Sequence, residues 1–121
     1  YGTLKTPVIH NLRQGIDVLV DIDTKGAATI RTCGDPFIID ALVDVFIMPP
    51  NLEELRRRLM KRGTETDDQI AVRLQNAAAE MERWREYKYT LISGSMEEDI
   101  EKFRAVMRAE RYQSRRLVRV S

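Results

Sequence analysis

A chain of 121 residues with 43% hydrophobic content is one domain or part of one, with enough apolar residues for a core. Its longest apolar runs fall well short of the ~18–20 residues of a membrane-spanning helix, so no membrane span is expected. Twenty basic and nineteen acidic residues leave a net charge of +1, which argues against a general nucleic-acid binder.

The chain opens on Tyr1 without a signal-peptide pattern, and a missing beginning is expected. Thr6-Pro7 reads as a helix start, because proline lacks only an N–H that would be orphaned there; the helix should end near Arg13, with Gly15 as its stop. Residues 17–21 read as a buried strand, since Val18, Leu19 and Val20 are consecutive rather than alternating apolar residues. A short helix opened by a close glycine turn follows at 26–31. Cys33, the single cysteine, excludes an intrachain disulfide framework and fits a reducing, cytoplasmic setting. A small, partly buried thiol is the expectation for it. Gly34-Asp35-Pro36 marks a loop, and residues 43–48 form a second buried strand that Pro49-Pro50 ends. Asn51 with Glu54, Thr66 with Gln69, and Ser95 with Glu98 each carry the signature of a capping box. The helices they open bury Leu52, Leu55 and Leu59; Ile70, Leu74, Ala77, Met81 and Trp84; and Met96, Ile100, Phe103 and Met107. A third strand spans 89–92, and residues 117–120 extend as an edge strand or trail loosely. Strand and helix in alternation imply a parallel sheet covered by helices. Three strong strands make a thin sheet, which again points to something upstream.

Few residues here can carry chemistry. Asp21 stands at a strand end, where α/β folds place their ligand crevice, although a helix cap or a surface aspartate is commoner. Asp23 lies two residues on; its carboxylate only accepts, so it suits the N1–H and exocyclic amine of a guanine. Arg56, Arg57 and Arg58 point in different directions and cannot all serve one ligand. Arg58 and Arg62 are four apart and share a face, beside the Gly63 joint. Arg73 returns toward that joint if the two helices form a hairpin. Guanidinium groups so placed suit clustered phosphates, which their planar fork binds through two oxygens at once. A plain solvated face, paired with Glu53, Glu54 and Glu65, accounts for the same arginines equally well. His10 has no Cys or second His nearby to make a metal site. No G-x-x-x-x-G-K-[S/T] occurs, so no P-loop cradles phosphate in this chain.

Tyr1-Gly2-Thr3, the stretch 18–23 followed by Gly26, and then 46–50, 52–58, 62–66 and Arg73-Leu74 resemble guanylate kinase in order and spacing, up to about residue 111. The resemblance implies an α/β fold: the three-layer parallel sheet of the P-loop nucleoside monophosphate kinases, incomplete here, with a helical lid. Residues 1–14 would end the GMP-binding domain, 15–56 belong to the core, 57–78 form the lid region, and 79–121 complete the core. The implied function is ATP-dependent phosphorylation of GMP to GDP, by a chain that is a fragment inactive alone. The alternative is a non-catalytic guanylate-kinase-like scaffold domain that binds phosphopeptides; such domains tend to lose lid arginines that this chain keeps. By the resemblance, Tyr1, Thr3 and Asp23 bind GMP, and Asp21 lies near magnesium and phosphate. Arg58, Arg62 and Arg73 are catalytic, and Arg58, Arg62 and Ser93 bind ATP. Mg2+ comes with ATP; GMP and ATP are the partners, with neither nucleic acid nor membrane, and homo-oligomerisation is left open. Ile92-Ser93-Gly94-Ser95 departs from the family's usual Val-Asn-Asp-Asp, which bears on adenine binding. The tail from Tyr112 onward runs past the family's usual end.

Overall fold

The computed structural model describes residues 2–117, and for residues 2–4 the backbone alone. The expectations for Tyr1, for the Thr3 side chain and for a strand beyond Leu117 therefore lie outside the described residues. Two compact units divide the chain, Tyr1–Asp44 and Val45–Ser121.

The first unit is helical: α1 (Gly2–Arg13), α2 (Thr24–Arg31) and α3 (Pro36–Ala41). Helix α1 ends where expected, and Gly15 takes the left-handed φ of 76° just beyond it. It starts earlier than expected, with Pro7 inside it at the cost of the one backbone bond that a proline cannot donate. Asp23 caps α2 by accepting from the Gly26 N–H at 2.7 Å, and Asp35 caps α3 through the N–H groups of Phe37 and Ile38. Burial alone would raise the Asp35 carboxyl. The Ile38 N–H and the Lys5 ammonium, 3.3 Å away, outweigh it and hold the group below its ordinary range. Arg31 pairs with Asp44 at 2.6 Å, tying the end of α2 to the end of the unit. Cys33 is exposed, not partly buried, because it sits in the turn between α2 and the left-handed Gly34.

The strand expected at 17–21 is not formed. Leu19 is 79% exposed and Val20 41%. An apolar run becomes a strand only against a neighbouring ladder, and among the described residues no strand pairs with this segment.

The second unit holds the sheet. Strands β1 (Val45–Met48) and β2 (Tyr89–Ile92) run parallel, with Val45 opposite Tyr89 and Met48 opposite Ile92. The ladder closes with the Ser93 N–H on the Met48 carbonyl at 2.8 Å, so both strands end level. Phe46 stacks on Tyr87, ring centroids 5.0 Å apart. Helices α4 (Leu52–Arg62) and α5 (Asp67–Met81) form a hairpin, and α6 (Met96–Arg111) packs along β2. Among the described residues of this unit Leu59, Ile70 and Val106 are the buried apolar ones, a small core. The arrangement is an incomplete α/β fold, helix-rich around two parallel strands. No described helix is long and apolar enough to cross a membrane.

Polar links supplement that core. Glu110, 5% exposed, accepts from Lys88 Nζ at 3.0 Å, Tyr89 Oη at 2.5 Å and Gln113 Nε2 at 2.8 Å, and pairs with Arg116. Burial would raise its carboxyl, but these donors outweigh it and its pKa is lowered. The Tyr89 hydroxyl is correspondingly held above its ordinary range, mainly because it donates to that carboxylate.

Thr66 makes both halves of its capping box with Gln69. Asn51 makes only the outer half: it accepts from the Glu54 N–H, while the Glu54 carboxylate is taken by arginines. Gly63 closes α4 with φ 64°, a conformation that costs other residues about 1–2 kcal/mol. Gly63→Ala should therefore lower stability by about that amount in urea titration, with no clash, since no atom lies within 4 Å of the added methyl.

Candidate functional site

Two parallel strands that end level place their following loops side by side, at the edge where α/β folds bind ligands. The β1–α4 loop carries Pro50 and Asn51, and the β2–α6 loop carries Ser93 and Gly94. Together with Glu54 and Arg58 from α4 they line an open groove of about 550 Å³.

Arg58 joins the two loops. Its Nε donates to Glu54 Oε1 at 3.0 Å, one helical turn back. Its terminal nitrogens donate to Ser93 Oγ at 3.0 Å, the Ser93 carbonyl at 3.4 Å and the Gly94 carbonyl at 3.5 Å. Asp99, in the first turn of α6, completes the arrangement: Oδ2 accepts from Ser93 Oγ and Oδ1 from the Gly94 N–H, both at 2.8 Å. That N–H, then the Ser93 hydroxyl, hold the Asp99 carboxyl below its usual range.

Glu54 is the counter-charge of the groove. It accepts from Arg57 at 2.6 and 2.9 Å as well as from Arg58. The Arg57 hydrogen bonds, then that of Arg58, hold its carboxyl at about 2 instead of the usual 4.5. Arg57 is in turn held above its ordinary value by the same carboxylate.

The other expected residues are placed as follows. Arg62 is exposed on α4 and has no side-chain partner among the described residues. Arg73, on α5, pairs with Glu65 at 2.5 Å; the second Glu65 oxygen is buried without a hydrogen-bond partner. Among the described residues, neither Arg62 nor Arg73 shares a bonding partner with Arg58. Asp21 is exposed on the unpaired stretch before α2, and Asp23 serves as the cap of α2 with one of its oxygens. His10 bonds Gln14, one turn away. Among the described residues no group of three or more His, Cys, Asp or Glu could hold a metal.

The ion pairs of a plain helix face are thus real for Arg57, Arg58 and Arg73. They do not exclude ligand binding, because Arg58 uses them to stand at a strand-end groove. Glu54, Asn51, Gly94 and Asp99 were not singled out from the sequence as parts of this site. Glu54 had a signal, the i, i+4 spacing to Arg58. Asp99 had none, since acidic residues in a first helical turn are common for dipole reasons alone.

Glu54 has a folded pKa below its unfolded one, so its contribution to stability is fully present above about pH 4.5 and is lost as the pH falls through about 2. A carbon-detected NMR titration should find its carboxyl titrating near 2, and Arg57→Ala should move that midpoint upward.

The family model for guanylate kinase matches residues 1–110. A guanylate kinase of Sphingopyxis alaskensis is 42% identical over 118 residues, covering 98% of this chain and 52% of that protein. One from Zymomonas mobilis is 38% identical over 120 residues, covering 98% and 53%. The crystal structure of guanylate kinase from Anaplasma phagocytophilum superposes with a TM-score of 0.72 at 30% identity, over 92% of this chain and 50% of that one. The chain spans about half the length of the curated relatives it matches.

Proposed function

The chain belongs to the guanylate kinase family, and on that premise we propose that it is the latter part of an enzyme that transfers the γ-phosphoryl group of ATP to GMP. The observation that carries this reading is the bridge from Arg58 to Ser93 across the loops that leave β1 and β2. It supports a ligand at the strand-end groove, with Arg58, Arg62 and Ser93 holding ATP.

Phosphoryl transfer through a loose transition state needs positioning and positive charge more than a reactive side chain. An oxygen of the GMP phosphate attacks the γ-phosphorus, and the bond to the β–γ bridging oxygen breaks, leaving ADP. Arg58 is pre-oriented by Glu54, so little reorganisation is needed when charge spreads over the transferring group. Arg62 is uncommitted in the fold and free to move onto the phosphates, and Arg73 supports the lid hairpin with Glu65. Asp21 would help to hold the Mg2+ of MgATP, which would neutralise charge on the phosphates. Tyr1, Thr3 and Asp23 recognise GMP, Asp23 accepting from the guanine donors with the oxygen not used as a cap.

In this reading residues 1–14 belong to the GMP-binding part, 57–78 to the lid, and 15–56 with 79–121 to the core of a cytoplasmic enzyme. Retention of all three arginines disfavours a phosphopeptide-binding scaffold. Tested alone, the 121-residue chain should not turn over, since it contains no P-loop to cradle the β- and γ-phosphates.

Two substitutions in the full-length protein test the assignment. Asparagine caps helices about as well as aspartate, so Asp23→Asn should leave α2 intact. Presenting an amide to the guanine donors should nonetheless cost about 1–3 kcal/mol, lowering kcat/KM for GMP by at least fivefold with ATP affinity unchanged. A change under twofold would remove Asp23 from guanine recognition. Arg62→Ala should lower kcat more than it weakens GMP binding, because the guanidinium acts mainly once the lid has closed. An unaltered kcat would return Arg62 to the solvated helix face.

A further inference from the structure

The last two turns of α6 carry a second cationic groove, of about 340 Å³, lined by Arg104, Met107, Arg108, Arg111 and Tyr112. It shares no residue with the groove around Arg58. Arg104 and Arg108 are four apart and exposed, and neither bonds a side chain among the described residues. Like charges at that spacing repel one another on a helix surface, so the pair weakens the helix it sits on. The nearby carboxylates do not relieve it. Glu110 is committed to Lys88, Tyr89, Gln113 and Arg116, and Asp99 to Ser93 and Gly94. Glu101 stands one turn before Arg104, at ion-pair spacing, without bonding it.

Beside these guanidinium groups Tyr112 is 71% exposed. It is not on a loose end: its N–H bonds the Ala109 carbonyl, and the chain just beyond it is anchored where Gln113 and Arg116 reach Glu110. The Arg104 and Arg108 guanidinium groups, the apolar side of Met107 and a ring held in solvent are the parts that bind phosphate joined to a planar base.

We propose that this groove is a second nucleotide site, which takes the phosphates of a nucleoside di- or triphosphate on Arg104 and Arg108 and stacks its base on Tyr112. The volume is at the small end for ligand pockets, about 300–1,000 Å³, and suits one nucleotide. A nucleic-acid strand would need a longer basic surface than a chain of net charge +1 offers.

The test is a fluorescence titration of the full-length protein with mant-GTP, its kinase site saturated by a compound that joins adenosine and guanosine through a phosphate bridge. One further equivalent should bind, weakening as salt is raised. R104E/R108E should reduce that affinity at least tenfold, with helix content by circular dichroism and turnover of GMP with ATP unchanged. Tyr112→Ala should weaken mant-GTP and leave inorganic tripolyphosphate unaffected. No binding beyond the blocked site overturns the proposal, as does binding indifferent to R104E/R108E or to Tyr112→Ala. Preference for a single-stranded oligonucleotide over mant-GTP overturns it too. If the wild-type protein fails to turn over GMP, the kinase reading falls, and the titration, run without the blocking compound, still decides this one.

Discussion

The strand-end groove of this protein depends on where one guanidinium is held. Arg58 leaves α4 a turn and a half after that helix begins, and Glu54 fixes it from one side. Ser93 and Gly94 receive it on the other, and Asp99 in turn fixes them. The relay ties α4 to α6 across the ends of two parallel strands, a place where backbone ladder bonds have just run out. A lysine could not replace Arg58, because one ammonium lacks the planar fork that reaches Glu54 and the loop together.

Strand β2 is pinned to α6 at both ends. Near its start, Lys88 and Tyr89 meet Glu110; near its finish, Ser93 meets Asp99, and Lys102 Nζ donates to the Ile92 carbonyl at 2.6 Å. With only Leu59, Ile70 and Val106 buried as apolar residues among the described residues of that unit, such polar links carry more of the positioning than they would over a thick core. The Glu110 node also anchors the chain beyond α6. The described stretch just past α6 is therefore tied to the fold through one buried carboxylate.

Local chemistry made much of this legible in advance. Asn51, Thr66 and Ser95 open their helices as cap residues do, Gly63 ends α4 left-handed, and 89–92 is the strand expected. What local sequence could not supply was the partner of each strand. Val18-Leu19-Val20 has strand composition yet forms no ladder, because a strand is defined by its neighbour. Helix α3 was missed for the opposite reason: Asp35-Pro36 reads as a loop, but it is equally a cap followed by proline at the first helical position. In the candidate site, residue types pointed to Arg58, the family resemblance added Ser93, and the structure joined them. Of their supports, Glu54 had the i, i+4 spacing to Arg58 as a signal, whereas Asp99 became visible only once the strand register had brought the two loops together.

The central claim is that the β1/β2 strand-end groove, with Arg58 at its junction, holds ATP. Calorimetric titration of the full-length protein with MgATP, wild type against Arg58→Ala, tests it most directly. Losing a charged hydrogen-bonding group, worth about 1.5–3 kcal/mol, should weaken ATP at least tenfold and leave GMP affinity within a factor of two. ATP binding as tight in Arg58→Ala as in wild type would contradict the account, because the Arg58–Ser93 bridge would then be a fold contact alone.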